Sequence, residues 1–594
     1  MTHKSPIAVV GMAGLFPGAR DLDTFWHNII HKISAAGEIP DSRWIPDLYQ
    51  THGPRAHPDK AYSTRACLLD DYRIKPGDVN LDADLLAQLD PLHHLVLGAG
   101  KAALANCNLS SIKNDRIGIS LAAIALPTSS ANLMTCAILE NAFEEKLFNT
   151  SLDKTALTPN QCAGGRVTGY PASLLAKAFD IRGTAFTLDA ACASSIYAVK
   201  IACDELWANE ADAMIAGGVS RPDNIFTQVG FSQLRALSPS GRCAAFDESA
   251  DGLVVGEGAG LLVLKRLEDA LAHGDFIYGL VAGIGLSNDM SGNLLAPDKE
   301  GQIRAMKSAY EVAGWQPTDV DFIECHGAGT PVGDLVELQS LHDLWKGLKK
   351  TNNKPCAIGS VKSVVGHLLT GAGAAGMIKT LLAFKHKTLP PSANFTRPSK
   401  NSPLVHNSPF KVLTEPEPWA TKDSRTPRRA AVSAFGFGGI NGHLLLEEWV
   451  PGAHPSKNPG TENKASGISV SGSPGPAIPM AIVGMGAAFG NLGSLREFQE
   501  VIFKGTPAMA ARPANRWKGC DALVAERYGL GDLPGAFVSD LIVHPGRFHI
   551  PPNEISDMLP QQLLMLQIAA SALTDAGLPL RGKRPDMGAI IGIG

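Results

Sequence analysis

A layered α/β fold is predicted for most of this chain, followed by an incomplete second copy of its own opening. Three observations predict it. From residue 1 to about residue 450, apolar runs of strand length alternate with longer segments of helical period. Residues 451–477 then turn to Gly, Ser, Pro, Asn and Lys with almost no large apolar side chains, the composition of an interdomain linker. Beyond the linker, over 478–594, the opening returns: Val483-Gly484-Met485 echoes Val10-Gly11-Met12, Phe498 echoes Phe25 and Arg516-Trp517 echoes Arg43-Trp44, all at one constant displacement. Leu559-Pro560 followed by Leu563–Leu573 resembles Asp90-Pro91 followed by Leu95–Leu104, and Gly588-Ala589-Ile590 matches Gly118-Ile119-Ser120. The second copy stops at Gly594 inside an expected strand, so the sequence reads as a fragment of something longer.

In order, Ile7–Val10 is a compact apolar strand running into Gly11–Gly18. Those glycines lack the G-x-G opening of a dinucleotide loop and meet Phe16-Pro17 where a helix should begin. A helix is expected over Leu22–Ile33, polar surface excursions over 50–80, a long helix over Leu85–Asn106 and a strand at Arg116–Leu121. Tyr170–Phe179 reads as a helix leading to the strand ending at Leu188, and Ile196, Val199, Cys203 and Leu206 recur at helical spacing. Strands follow at Ala213–Ile215 and Leu261–Leu264. The glycines at 252–260 feed a strand rather than a helix and end in no Lys-Ser/Thr pair, so close backbone packing explains them better than a phosphate cradle. Later strands are placed at Tyr278–Ile284, Val320–Cys325, Ala357–Ser360, Ala431–Phe435 and Leu444–Leu446, with helices at Gly301–Ala313, Leu335–Leu344 and Gly371–Ala383.

Composition narrows the function classes. Apolar residues make up 45% of 594 positions, enough for a large core and more than one domain. A net charge of −4 without a Lys/Arg run argues against a nucleic-acid or anionic-membrane partner. Ten cysteines form no C-x-x-C pair, which suits reduced thiols in a cytoplasmic setting. No stretch approaches 18 uninterrupted apolar residues, so the protein reads as soluble.

Candidate chemistry gathers at strand ends. Cys192 sits at a strand-to-helix turn among Ala190, Ala191, Ala193 and Ser194, where the N–H groups of a helix's first turn are expected to favour its thiolate. His326 and His367 each lie at or just beyond a short strand within a small-residue loop. A buried structural cysteine and two core histidines are the plainer reading of each alone; the shared placement favours one site. Zinc is the competing reading, but these residues contain no close-spaced ligand pair, and no metal is expected.

Asp189–Ser195, Glu324–Asp334, Lys362–His367 and Phe435–His443, in this order, resemble the motifs of the β-ketoacyl synthase family of fatty acid and polyketide synthases. The resemblance implies a thiolase-type fold, a duplicated α-β-α-β-α sandwich with halves at about 1–265 and 266–450, usually dimeric. It implies that Cys192 is the nucleophile taking an acyl group from the phosphopantetheine thioester of an acyl carrier protein. His326 and His367 would bind a malonyl thioester and promote its decarboxylation. The oxyanion hole would use the N–H groups of Cys192 and Phe437. Phe437 would also belong to the gating loop, Lys362 would organise the site, Thr330 would touch the pantetheine, and Phe435, Gly436 and Gly438 would bind substrate or support the site. No cofactor is implied, since substrates arrive as carrier thioesters.

Two departures stand out. Ala328 replaces the first threonine of His-Gly-Thr-Gly-Thr, removing a hydroxyl toward the pantetheine arm, and Leu89-Asp90-Pro91-Leu92-His93-His94 differs from the common Asp-Pro-Gln form. The tandem arrangement resembles multienzymes for polyunsaturated fatty acids and related polyketides, whose second copy is often a chain-length factor lacking the cysteine. An ordinary modular polyketide synthase fragment is the other context. A homodimer, or a pseudo-dimer with the second copy, is expected. The alternative function is a non-catalytic, chain-length-factor-like condensing partner, against which the cysteine of the first copy speaks.

Overall fold

The computed structural model describes residues 5–51, 57–135, 168–290, 296–348, 354–405, 407–453 and 479–593, the last stretch without 514–515, 517–524, 526–528, 530–533, 539–540, 545, 549, 583 and 585. It divides into two compact units, Met1–Lys457 and Asn458–Ile593. Most of the proposed linker, and Trp517 of the repeated Arg-Trp pair, lie outside the described residues.

The first unit is built on strands β1 (Ile7–Leu15), β2 (Ile117–Ala123), β3 (Ala185–Leu188), β4 (Ala213–Ser220), β5 (Gly258–Arg266), β6 (Gly279–Asn288), β7 (Phe322–Glu324), β8 (Cys356–Gly359), β9 (Phe410–Val412), β10 (Arg429–Gly436) and β11 (Ile440–Glu447). They hydrogen-bond in the order β9-β8-β7-β10-β11-β6-β1-β5-β4-β2-β3. The order is a duplication. Outward from the centre, β1, β5, β4, β2 and β3 are matched by β6, β11, β10, β7 and β8, with the same parallel and antiparallel pairs on each side. The two first strands, β1 and β6, join the halves by antiparallel pairing of Ile7–Val9 with Gly279–Val281.

Three helical layers complete the sandwich. Between the half-sheets lie α5 (Ser194–Trp207) and α9 (Ala372–His386), whose Ile196, Val199, Ile378 and Leu381 share one core with Met214 and Leu262 of the first half and Val432 and Leu444 of the second. Outside the first half, α3 (Pro91–Leu104) and α4 (Tyr170–Ala178) bury Leu95, Leu97 and Leu175 against Ile119 and Val263. Outside the second, α7 (Lys299–Ala313) and α8 (Pro331–Trp345) bury Met306 and Leu341 against Ile323 and Leu445. Strands covered on both faces lose the alternation of half-exposed strands, which is why β1 and β4 are buried at every position. Gly11 lets α3 lie directly on β1, since a Cβ there would stand 2.5 Å from the Ala103 carbonyl oxygen.

Three expectations are corrected. The long helix over 85–106 is two helices, α2 (Ala83–Gln88) and α3, because Pro91 takes the first helical position and the Asp90 carboxylate caps the new start by accepting the Leu92 N–H at 2.9 Å. Residues 57–80 are not simply surface. Ala66, Cys67, Ile74 and Val79 are buried, and the Cys67 N–H donates to the Val255 carbonyl at 2.8 Å. The third correction concerns the second unit.

There, α10 (Leu495–Lys504) and α11 (Pro560–Asp575) form, but no strand does among the described residues. Helix packing is reproduced: a Cβ at Gly484 would meet the Ala572 carbonyl at 2.3 Å, as at Gly11, and the Phe489–Phe498 rings lie 4.7 Å apart against 4.3 Å for Phe16–Phe25. In the first unit β1 pairs with β5 and β6, and β2 with β3 and β4. The described residues of the second unit contain no counterparts of those partners, so 481–487 and 588–593 stay unpaired and Ile590 is fully exposed.

Candidate active site

The duplication places the candidate groups. Cys192 follows β3, the third strand of the first half, and His367 follows β8, its topological equivalent in the second; His326 follows β7, beside β8. All three lie beyond the carboxyl ends of parallel strands, where α/β sheets assemble sites. Cys192, His326 and His367 line one cavity of about 310 Å³, with Thr330, Phe435, Gly436 and Phe437 also in its wall. Lys362 lies behind the wall, and Gly438 is not in it but takes a left-handed turn (φ +85°) in the loop between β10 and β11.

The turn carrying Cys192 is over-determined. Ala191 is held at φ +50°, an uncommon region for a residue with a Cβ. The Asp189 carboxylate accepts the Ala191 N–H at 2.9 Å, and the Ser194 hydroxyl accepts the Ala190 N–H at 2.7 Å. Gly436 packs on this turn, since a Cβ there would lie 2.9 Å from the Ala191 Cβ and 3.0 Å from the Cys192 nitrogen.

Backbone N–H groups do pull toward the thiolate at this turn, as expected, but burial outweighs them. Burial pushes the Cys192 thiol up to about 11, and outweighs the Lys362 charge and the hydrogen bonds from the Phe437 and Cys192 N–H groups that pull it down. Helix α5 begins at Ser194 with Ala193 as its N-cap, so Cys192 directly precedes the cap. The two N–H groups nominated for the oxyanion hole are nevertheless the ones directed at the sulfur.

Both imidazoles have a defined tautomer. The Leu369 N–H donates to His367 Nδ1 at 3.0 Å, and the Phe435 N–H donates to His326 Nδ1 at 3.3 Å. Each neutral ring therefore carries its proton on Nε2. The ring centroids lie 5.3 Å apart, nearly edge to face. Burial first, and the Lys362 cation second, hold both imidazoles well below the usual histidine range. Lys362 Nζ donates to the His326 carbonyl oxygen at 2.6 Å.

Sequence reasoning missed the residues that hold the His326 loop. Glu337 accepts the His326 and Gly327 N–H groups at 2.7 and 2.8 Å, and Asp334 accepts those of Gly329 and Phe246 at 3.1 and 2.7 Å. Burial raises each carboxyl to about 7. Their spacing of three residues, one turn of α8, was the available signal. Asp289 was also missed: its N–H donates to the Gly439 carbonyl and its carboxylate accepts from Asn441, so it pins the glycine-rich loop. Ala328 lies in an apolar wall with Ala236, Leu253 and Val255. His93 is buried against Tyr170, and burial lowers it to about 4. Among the described residues no group of three His, Cys, Asp or Glu side chains could hold a metal ion, and no helix is long and apolar enough to cross a membrane.

A duplicated five-layer sandwich with a cysteine and two histidines brought to one cavity defines a thiolase-fold protein. Comparison with known proteins makes that narrower. The family model described as "Beta-ketoacyl synthase, N-terminal domain" matches residues 4–270 and again 478–594, and "Beta-ketoacyl synthase, C-terminal domain" matches 278–396. This chain belongs to the β-ketoacyl synthase family. It is 32% identical over 599 residues to a polyunsaturated fatty acid synthase subunit of Thraustochytrium sp., covering 98% of this chain and 28% of that protein. It is 36% identical over 454 residues to polyketide synthase PksL of Bacillus subtilis, covering 75% of this chain and 9% of that protein. Among solved structures, the PfaC keto synthase–chain length factor matches with a TM-score of 0.83 at 34% identity, covering 97% of this chain and 60% of that one. The ketosynthase from module 6 of the Bacillus subtilis bacillaene synthase matches with a TM-score of 0.65 at 34% identity, covering 75% of this chain and 72% of that one.

Proposed function

We propose that the first unit is a β-ketoacyl-[acyl carrier protein] synthase performing decarboxylative Claisen condensation within a fatty acid or polyketide multienzyme. The observation that carries the reading is one cavity lined by Cys192 and by two imidazoles whose Nδ1 atoms each accept a backbone N–H, which leaves the proton of the neutral ring to Nε2. Cys192 sulfur attacks the carbonyl of an acyl thioester; the thiol proton passes to the departing carrier thiol, and an acyl-Cys192 thioester remains. The forming oxyanion accepts the Cys192 and Phe437 N–H groups. A malonyl thioester then enters along Thr330. Loss of CO2 leaves its electron pair as an enolate, whose oxygen accepts the Nε2–H groups of His326 and His367. The enolate carbon attacks acyl-Cys192, a carbon–carbon bond forms, and the cysteine leaves as thiolate.

The reading extends to a carrier-protein partner, a dimer or pseudo-dimer with a second synthase-like copy, a cytoplasmic setting, and a polyunsaturated fatty acid type of assembly line. The last draws on the match to a polyunsaturated fatty acid synthase subunit across both units. The test is intact-protein mass spectrometry with acyl and malonyl thioesters. Wild type should gain an acyl adduct at Cys192 and release CO2. His326→Ala should keep the adduct and lose CO2 release. No adduct at Cys192 would favour the non-catalytic partner, and joint loss of both steps in His326→Ala would make that histidine structural.

A further inference from the structure

A buried ion pair behind the cavity has no part in the chemistry above. Glu324, the last residue of β7 and two before His326, lies 2.7 Å from Lys379 Nζ of α9, and both side chains are almost wholly buried (2% and 1% exposed). Burying two charges is expensive, and an apolar pair of similar volume is often as stable, so stability alone is a weak account of them. Glu324 has a second contact: one carboxylate oxygen accepts the Val361 N–H at 2.6 Å. Val361 opens the short turn Lys362–Val365, whose Lys362 reaches the His326 carbonyl, and Gly366 N–H closes it on the Lys362 carbonyl at 2.9 Å before His367. One carboxylate therefore joins the strand that delivers His326 to the turn that delivers Lys362 and His367. Its surroundings are shaped to it, since a Cβ at Gly376 of α9 would stand 3.0 Å from Glu324 Cγ.

We propose that Glu324 is a positioning residue that sets the spacing of His326 and His367 through the Val361 N–H, and that Lys379 is the counter-charge that lets a carboxylate occupy this place. Lys379→Met alone leaves a buried carboxylate unpaired. The inference rests on the condensing reading of the site, and its test separates the two.

The test compares two neutral double variants in the full chain. Glu324→Gln with Lys379→Met keeps an acceptor for the Val361 N–H, whereas Glu324→Leu with Lys379→Met keeps the volume without it. Malonyl decarboxylation should stay within about threefold of wild type in the first. In the second it should lose at least tenfold in kcat, with KM for malonyl thioester and Cys192 acylation each within about twofold. Imidazole 15N spectra of histidine-labelled protein should show the His326 and His367 signals displaced only in the second. Equal kcat in the two doubles, acylation falling in step with decarboxylation, or unmoved histidine signals would overturn the proposal. A wild type that releases no CO2 while the second double still displaces both signals would sink the reaction and leave the positioning role standing.

Discussion

Cys192 is buried enough that its reactivity should follow pH far above the range of a free thiol. Burial places the thiol at about 11, against about 8.5 for an ordinary cysteine. At pH 8 that leaves a thiolate fraction of about one in a thousand, against about one in four for a free cysteine. A more basic thiolate is a better nucleophile, with a Brønsted slope of about 0.4–0.5, which returns about one decade of the loss. Alkylation at pH 8 should therefore run about twentyfold slower than for a free thiol before any steric effect. Its logarithm should rise with unit slope from pH 7 to beyond pH 10. Lys362 supplies the largest opposing charge, so Lys362→Met should slow alkylation further at every pH without changing the slope. The assay is the rate of iodoacetamide addition to Cys192, read by intact mass between pH 6.5 and 10.5. A plateau reached below pH 8, or faster alkylation in Lys362→Met, would refute an electrostatic balance in which burial outweighs the charge.

Two further outcomes follow from the packing. Gly436→Ala should cut Cys192 acylation about tenfold in a folded protein, because its methyl would press on the Ala191 Cβ and Cys192 nitrogen, and mass spectrometry would count the adduct. Glu337 is raised to about 7 by burial, so the native state holds a proton that the unfolded chain releases from about pH 4.3. That contribution is full below the unfolded value and is lost as pH rises through about 7. His326 and His367, held low, act in the opposite sense, contributing above the ordinary histidine value and losing it as pH falls. Glu337→Gln removes only the first term, so its melting temperature should decline less than that of wild type between pH 5 and 8. An identical decline would mean that Glu337 is ionised throughout.

Much of this was legible in the chain because local signals and tertiary structure agree. Each strand end that bears a candidate group is announced by an apolar run broken by small residues, as at Thr187–Ser195 and Phe322–Gly329. The Pro91 break was equally present, but a helical apolar period on both sides masks it. What stayed hidden depends on contacts made across sequence. The pairing of β1 with β6 that joins the halves involves residues some 270 positions apart, and nothing in either strand names its neighbour. Glu324, Asp334 and Glu337 look like ordinary acidic residues until burial and their N–H partners are seen. The strand expected at Gly588–Ile590 shows the converse: an apolar pattern does not make a strand where the described residues offer no partner to receive its hydrogen bonds.

The same burial pushes the thiol up and the imidazoles down, and both displacements favour uncharged groups near neutral pH. One cation, Lys362, sits behind them with its ammonium on the His326 carbonyl. In the proposed reaction this is the arrangement decarboxylation needs. A protonated imidazole would attract the carboxylate that must depart as CO2, stabilising the ground state more than the transition state. A neutral Nε2–H offers little to that carboxylate but is already aimed when charge moves onto the thioester oxygen. Lys362 reinforces the choice, because its charge opposes protonation of both rings while easing loss of the thiol proton. In that proposed reaction negative charge is favoured where it forms during acyl transfer and enolate formation, and the histidines would serve as hydrogen-bond donors rather than as acids.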